Sequence, residues 1–205
     1  MFLSKLFKKP EDSSKMENVE SKQPVIVYVQ NTPNPNAYKF ISDHEVKTGG
    51  DAAYSDPALC DNDLARELLA VPGVEQIYFF DNVITTTLNP TVALNDIKDR
   101  IIAVIKDKLP THDPKYQTDK DIKKATYEDL PEDLKHINEI LDRTIRPGLQ
   151  GDGGNIEILS YVDNQLSVRY QGACGSCPSS TMGTLQAINQ ILRDEFDPDI
   201  EVIPV

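Results

Sequence analysis

Hydrophobic and polar positions in the first half of the chain follow the patterns of short strands and amphipathic helices. Period-two alternation, bounded by Pro, Gly and Asn, predicts strands over 25–30, 37–41, 74–80 and 83–88. Asp81-Asn82 is a two-residue connection that makes the last two of these a hairpin. Apolar residues at spacings of three and four predict one helix that Asp61 or Asn62 caps and another that ends near Leu109.

The second half of the chain is also predicted to contain both helices and hairpin strands. An apolar stripe over 134–145 predicts a helix that Pro147-Gly148 closes, and Ser179 or Ser180 is the predicted cap of a final helix. Strands are predicted over 155–161, 165–171 and 200–205. The fold class that these elements predict is α+β, with two small α+β domains.

Polar stretches without periodicity separate these two units from each other and from the start of the chain. We interpret the first of them as a disordered tail and the second as a flexible polar linker. The predicted boundaries are a tail at 1–23, an N-terminal domain at 24–110, a linker at 111–129 and a C-terminal domain at 130–205.

The charge and cysteine content of the chain indicate which kinds of partner it can bind and in which compartment it is expected. A formal net charge of −12 over 205 residues repels a phosphate backbone, so we expect no nucleic-acid binding. No apolar run has the length of a membrane span, and we expect no stable membrane association. Three cysteines are too few for a disulfide framework and suit metal or redox chemistry in a reducing compartment, so the expected location is cytoplasmic.

The residues that carry chemistry lie between the last predicted hairpin and the last helix, in a segment called the cysteine loop (172–180). Cys174 and Cys177 form a Cys-x-x-Cys pair, whose spacing lets two thiolates converge on one metal. Both precede the predicted N-terminus of a helix, where free N–H groups and partial positive charge stabilise thiolates. The loop therefore suits ligating sulfur.

The number of ligands in the loop bears on the number of chains in the site. Zinc and iron–sulfur sites usually take four protein ligands, and the loop offers two. Cys60 lies in the other predicted domain, and none of the three histidines has a position that suggests ligation; they are His44, His112 and His136. A second copy of the loop would complete the set by two-fold symmetry. Spacing alone leaves a bridging cluster, a redox-active dithiol and half of a zinc site open.

A larger set of motifs in residues 130–205 resembles the NifU-like (Nfu) family of iron–sulfur cluster scaffolds and carriers. The motifs are Ile145-Arg-Pro147, Gln150-Gly-Asp-Gly-Gly-Asn-Ile-Glu157 and Gln171-Gly-Ala-Cys-Gly-Ser-Cys-Pro-Ser-Ser-Thr-Met182. The resemblance implies a 4Fe–4S cluster held between two monomers by Cys174 and Cys177. It also implies a carrier that is not an enzyme, a homodimer formed through the cluster, and two kinds of partner: iron–sulfur assembly proteins and apo iron–sulfur targets.

Residues 25–109 are similar to the N-terminal domain found in many of these proteins. The similarity rests on Asn31-Thr-Pro-Asn-Pro-Asn36, Leu64-Ala-Arg-Glu-Leu68 and Pro72-Gly-Val-Glu-Gln-Ile-Tyr78. We interpret the loop 31–36 as rigid scaffold rather than a binding site, and Cys60 as a structural thiol. Gly183 adds a residue relative to the family pattern, and this brings the register of the last helix into question.

Overall fold

The computed structural model of the chain describes residues 24–118, 131–175 and 178–205, and only the backbone of 178–181. The predicted tail and residues 119–130 of the predicted linker lie outside the described residues, as do Ser176 and Cys177. Over the described ranges the strands form two sheets, and helices pack on each of them. The prediction of two α+β domains is confirmed, while the exact domain boundaries remain a prediction.

The N-terminal domain contains a five-stranded antiparallel sheet. The strands are β1 Val27–Asn31, β2 Ala37–Ser42, β3 Lys47–Tyr54, β4 Val74–Asp81 and β5 Val83–Leu88. Their order in the sheet is β1-β2-β5-β4-β3. Asp81, at φ 53°, makes the tight turn between β4 and β5, as the two-residue connection predicts.

Two helices cover one face of this sheet, α1 at Asp63–Leu69 and α2 at Leu94–Lys108. Their apolar stripes pack on alternate residues of the strands, which bury one side of each strand. The strand side chains in this core include Phe40, Ile77, Phe79 and Ile84. The face of the sheet opposite α1 and α2 is called the outer face below.

Helix α1 depends on a side-chain cap. Asn62 is the N-cap, and its Oδ1 accepts a hydrogen bond of 3.1 Å from the backbone N–H of Ala65. We expect Asn62→Ala to lower the free energy of unfolding of the N-terminal domain by about 1 kcal/mol, as loss of such caps does in other proteins. Urea denaturation measures this change.

Asp56→Ala is the matched control for that substitution. Asp56 caps a short 3₁₀ turn, Pro57–Leu59, that buries none of its residues. We expect this control to change stability by less than about 0.5 kcal/mol, which is usual at exposed positions. Equal losses in the two variants would contradict the importance of the α1 cap.

Strand β3 is the element that the hydrophobic pattern did not predict. Its residues, Lys-Thr-Gly-Gly-Asp-Ala-Ala-Tyr, do not alternate between hydrophobic and polar. The strand forms because its backbone pairs with β4. The pairing shifts register between Lys47 and Asp51, where Gly49 takes a left-handed φ of 74°. The strand is therefore specified by its neighbour rather than by its own periodicity.

The first part of the predicted linker lies against β3. The ring Nε2 of His112 is 2.6 Å from the carbonyl oxygen of Val46, and the N–H of Thr48 donates to the carbonyl of Pro114 at 2.8 Å. The hydroxyls of Tyr54 and Tyr116 are 3.2 Å apart. Residues 111–118 thus contact the N-terminal domain.

The C-terminal domain combines a three-stranded sheet with helices. Its elements are α3 Glu132–Thr144, α4 Arg146–Gly151, β6 Gly154–Val162, β7 Gln165–Gly172, α5 Pro178–Glu195 and β8 Glu201–Pro204. The strand order is β6-β7-β8, in which β6 and β7 form a hairpin and β8 pairs parallel to β7. The helices α3, α4 and α5 pack their apolar residues with the sheet into a second core.

The segment around Pro147 differs from the prediction in one respect. Helix α3 does end at Thr144, but Pro147 then stands in the first turn of α4, where its missing N–H costs nothing. The buried Arg146, the first residue of α4, donates to Asp142 Oδ1 at 2.6 Å and to Asn138 Oδ1 at 2.8 Å, both on α3. These bonds fix the corner that leads the chain into β6.

Candidate metal centre

Cys174 lies two residues after the end of β7, where the backbone makes a tight turn. The N–H of Gly175 donates to the carbonyl of Gly172 at 3.1 Å, and the N–H of Ala173 donates to the carbonyl of Gly153 at 3.0 Å. Cys174 is 6% exposed and belongs to the C-terminal core. The loop therefore begins as a well-fixed turn tied to the start of β6.

Glycines make this turn possible. Gly172 has a φ of 61°, and a Cβ at this position would lie 2.5 Å from the carbonyl oxygen of Gly153. A Cβ on Gly154 would lie 2.6 Å from Cys174 Sγ, so the sulfur occupies the space that this glycine leaves. A side chain at either position would displace backbone or the candidate ligand.

The second predicted ligand, Cys177, lies outside the described residues, so its convergence with Cys174 stays a prediction. Helix α5 begins at Pro178 and continues through Gly183 to Glu195 without interruption. Its buried residues include Ile188 and Leu192, which face the C-terminal core. The extra residue Gly183 is thus accommodated within the helix, where it is exposed.

Cys60 lies in a different environment. It belongs to the N-terminal core, where its Sγ donates to the carbonyl of Asp56 at 3.4 Å and its own carbonyl accepts from Arg66 Nη2 at 2.8 Å. Burial raises the pKa of its thiol. Cys60 and Cys174 are therefore in separate cores.

The three histidines have contacts of their own. His44 Nδ1 is 2.8 Å from Asp43 Oδ1, His112 packs edge-on against Phe79, and His136 packs edge-on against Phe196. Within 24–118, 131–175 and 178–205, no group of three or more His, Cys, Asp or Glu side chains comes together in a way that could hold a metal ion.

The N-terminal domain reaches the cysteine loop through the loop 31–36. Asn34, which is 2% exposed, donates from Nδ2 to the carbonyl oxygen of Ala173 at 2.8 Å. Its Oδ1 accepts from the N–H of Asn36 at 2.9 Å, which holds the side chain in place. The loop that the sequence analysis interpreted as scaffold thus contacts the residue next to Cys174.

The outer face of the N-terminal sheet continues this contact. Lys39, Thr85 and Tyr78 are neighbours across β2, β5 and β4. Lys39 Nζ donates to the carbonyl oxygen of Gly151 at 2.7 Å. Asn155 Nδ2 donates to Asp51 Oδ1 at 3.2 Å, so both ends of the glycine turn before β6 contact the N-terminal domain.

Close approach between the domains also requires glycine. A Cβ on Gly153 would lie 2.8 Å from Thr85 Oγ1, and one on Gly172 would lie 3.0 Å from Tyr78 Cγ. Thr85 and Tyr78 are 0% and 1% exposed, although they lie on the face opposite the helices. The glycine turns of the C-terminal domain are what bury them.

One tyrosine from each domain lies close to Cys174. Burial, with a smaller contribution from the nearby Cys174, raises the pKa of Tyr170 to about 12. Burial also raises the pKa of Tyr78, with contributions from Asp51 and Cys174. Both phenols therefore remain protonated at neutral pH, and the surroundings of Cys174 are built from both domains.

Models of two protein families match the chain in order. The model described as "Scaffold protein Nfu/NifU N terminal" matches residues 27–112, and the model described as "NifU-like domain" matches residues 137–203. The second match contains the cysteine loop and the first contains the loop 31–36. Together they include both sides of the contact between the domains.

Known proteins align with nearly the whole chain. This chain is 32% identical to the Drosophila willistoni protein named "NFU1 iron-sulfur cluster scaffold homolog, mitochondrial". The alignment covers 90% of this chain and 65% of that protein. The human protein of the same name is 32% identical, over 86% of this chain and 70% of that protein. "NifU-like protein 5, mitochondrial" of Arabidopsis thaliana is 29% identical, over 85% and 66%. The chain thus spans about two thirds of these relatives.

Among solved structures, the solution structure of a NifU-like protein from Saccharomyces cerevisiae is similar to part of the chain. The TM-score is 0.41 and the sequence identity 22%, over 50% of this chain and 93% of that one.

The expected cytoplasmic location is wrong. The relatives from fly, human and plant are all named as mitochondrial, which points to the mitochondrion instead. Too few cysteines for a disulfide framework indicate a reducing compartment, and that property does not distinguish one such compartment from another. Among the described residues, no helix combines the length and apolar character needed to cross a bilayer.

Proposed function

Because the chain belongs to the Nfu family of iron–sulfur cluster scaffold proteins, we propose that it carries a 4Fe–4S cluster as cargo between two copies of itself. Cys174 and Cys177 of each copy supply the four thiolates, and the cluster passes to apo target proteins. The observation that carries this proposal is the position of Cys174, on a glycine turn that leads from β7 into α5 within the NifU-like match.

The local structure suits a negatively charged group of iron and sulfide. Helix α5 begins at Pro178, the residue after Cys177 in the sequence, and the free N–H groups and partial positive charge of a helix N-terminus stabilise thiolates. The Cys174 sulfur occupies the space that Gly154 leaves, so a side chain at position 154 would displace this candidate ligand. Fixed donors of this kind stabilise anionic sulfur without any titratable group.

Sharing the cluster between two chains explains how it is released. Each copy holds half of the coordination sphere, and Cys60 is excluded from it by its place in the other core. When the two copies separate, a target with a complete set of ligands binds the cluster more tightly. The partners of the protein are therefore assembly proteins that supply clusters and apo proteins that accept them.

Two other functions are compatible with a Cys-x-x-Cys loop. The metal and sulfide content of the purified protein distinguishes both of them from a cluster carrier. A dithiol–disulfide oxidoreductase would turn over a disulfide without a chromophore, and a structural zinc dimer would contain zinc and no sulfide. The names of the relatives describe scaffolds, which favours the carrier. We expect anaerobic reconstitution to give a brown protein with about four iron and four sulfide per dimer.

Cluster binding should drive dimerisation. Apart from the two cysteines, Ala173 and Pro178 are the only apolar residues in 172–180, so the loop has little surface for a permanent interface. We expect the apo protein to be monomeric at micromolar concentration and the reconstituted protein to be dimeric. Sedimentation velocity of the two samples measures this, and removing the iron with a chelator should restore the monomer.

Two results would contradict this model of assembly. A dimer that persists in the apo protein would show that association does not depend on the cluster. A monomer that contains a full complement of iron and sulfide would show that one chain supplies all the ligands.

A further inference from the structure

We propose that the outer face of the five-stranded sheet is a docking surface for residues 172–175, the start of the chain's own cysteine loop, and that it releases them when a cluster is bound. The docked arrangement described above is then the cluster-free state, in which Cys174 is shielded. This inference rests on the proposed function, because release is required only if two chains share the cluster.

The first argument is the position of the contacts. Asn34 bonds to Ala173, and Tyr78 lies against Gly172, so the N-terminal domain touches the two residues before Cys174. On the other side, a Cβ on Gly175 would lie 3.4 Å from Gln76 Oε1. The side of the loop next to Cys174 is therefore occupied by the N-terminal domain, where a second copy would have to approach.

The second argument is the exposure of the Cys174 sulfur, which is buried when the loop is docked and must be accessible to a second chain when a cluster is shared. Cys174 is 6% exposed, with its Sγ against Gly154. A ligand that bridges two chains must face the partner chain. The loop must therefore leave the outer face, or turn on it, before the second copy can supply its thiolates.

The third argument is the chemistry of the contact. Its direct links are hydrogen bonds from Asn34, Lys39 and Asn155 rather than an extensive apolar surface. Polar contacts of this kind resemble those between domains that move relative to each other, since each bond can be exchanged for one with water. Thr85 and Lys39 are also suited to solvent when the loop is absent.

Asn34→Asp tests the docking surface directly. The carboxylate keeps an oxygen that can accept from the N–H of Asn36, so the loop 31–36 retains its internal bond. It replaces the donor to Ala173 by an oxygen that repels the carbonyl. The substitution is made in the full-length Cys60→Ser, Cys177→Ser variant, in which Cys174 is the only thiol. We expect Cys174 to react with a neutral alkylating agent about tenfold faster than in the same variant with Asn34 intact.

Asn89→Asp is the matched control. Asn89 also accepts a backbone N–H two residues later, from Thr91 at 3.0 Å, and also donates through its amide, to Glu75 at 2.6 Å. It lies in the same domain and gains the same charge. We expect the rate at Cys174 to change by less than about twofold, as for a surface substitution outside the contact. If Asn34→Asp reacts no faster than Asn89→Asp, the proposal is wrong.

A second substitution covers the case in which Asn34→Asp disturbs folding. Lys39→Met keeps the aliphatic stem beside Gly153 and removes the bond from Nζ to Gly151. Because this bond is exposed to solvent, we expect an acceleration of only about twofold to threefold. No acceleration in this variant, in a chain that is folded by circular dichroism, would also overturn the proposal.

Cluster uptake separates this inference from the proposed function. With its cysteines intact, Asn34→Asp should gain the absorbance of an iron–sulfur cluster faster than the wild-type chain when iron and sulfide are supplied. If Asn34→Asp speeds alkylation of Cys174 but neither protein binds a cluster, the docking surface is supported and the proposed carrier function is refuted. Cluster binding with unchanged alkylation would refute the docking surface alone.

Discussion

Replacing Cys174 by Ser should abolish cluster binding. In a homodimer this single change removes two of the four proposed thiolates, since each chain contributes the same residue. Disturbing residues that merely support metal ligands costs about tenfold to a hundredfold in affinity, so the loss of two ligands should exceed about a hundredfold. Iron and sulfide analysis after anaerobic reconstitution, together with the absorbance of the cluster, measures the effect.

Cys60→Ser is the control for that experiment, because Cys60 is a buried thiol of the same chain in the other core. We expect it to retain full iron and sulfide content, whereas Cys177→Ser should behave as Cys174→Ser does. Equal loss in the Cys60 variant would mean that the site has been assigned to the wrong residues. Retention of the cluster by Cys174→Ser would refute the ligand set.

Replacing Gly172 by Ala should destabilise the C-terminal domain by about 3 kcal/mol. A left-handed backbone costs an L-residue about 1–2 kcal/mol. Overpacking adds a cost of about 1–3 kcal/mol, because the new methyl group would lie 2.5 Å from the carbonyl oxygen of Gly153. Hydrogen exchange and mass spectrometry in increasing urea measure the free energy of unfolding of each domain separately.

Gly183→Ala is the matched control and should act in the opposite direction. Gly183 lies within α5, and among the described residues no atom outside the helix's own backbone lies within 4 Å of a Cβ at that position. Alanine should therefore stabilise the helix by about 1 kcal/mol. A loss of stability on this substitution would mean that Gly183 interrupts α5, and a neutral Gly172→Ala would mean that the turn before Cys174 is not constrained.

Hydrophobic periodicity predicts those parts of the fold that are specified locally. The stripe of Ile97, Ile101 and Ile105 identifies α2 because three residues on one helix face must all be buried. The hairpin of β4 and β5 follows from alternation on either side of a two-residue turn. Strand β3 could not be predicted in this way, since its order comes from pairing with β4.

The candidate ligands could be predicted from sequence, because the Cys-x-x-Cys pair and its neighbours form a continuous motif. The contact between the domains could not. Asn34 and Ala173 are separated by 139 residues, and a polar side chain in a proline-containing loop has no periodic signal. Asn34 is identified as buried only when the fold brings the outer face of one sheet against the glycine turns of the other domain.

Strand β7, which leads into the cysteine loop, pairs with β6 along its whole length, but β8 pairs only with its first half, Gln165–Val168. That half therefore presents no free edge on which a strand from another molecule could be added. Residues 169–172, which lead to Cys174, have no strand partner on the β8 side among the described residues. The outer edge of β8 ends at Pro204, which has no N–H to donate. Protection from strand addition thus covers the start of β7 and not the backbone beside the cysteine loop.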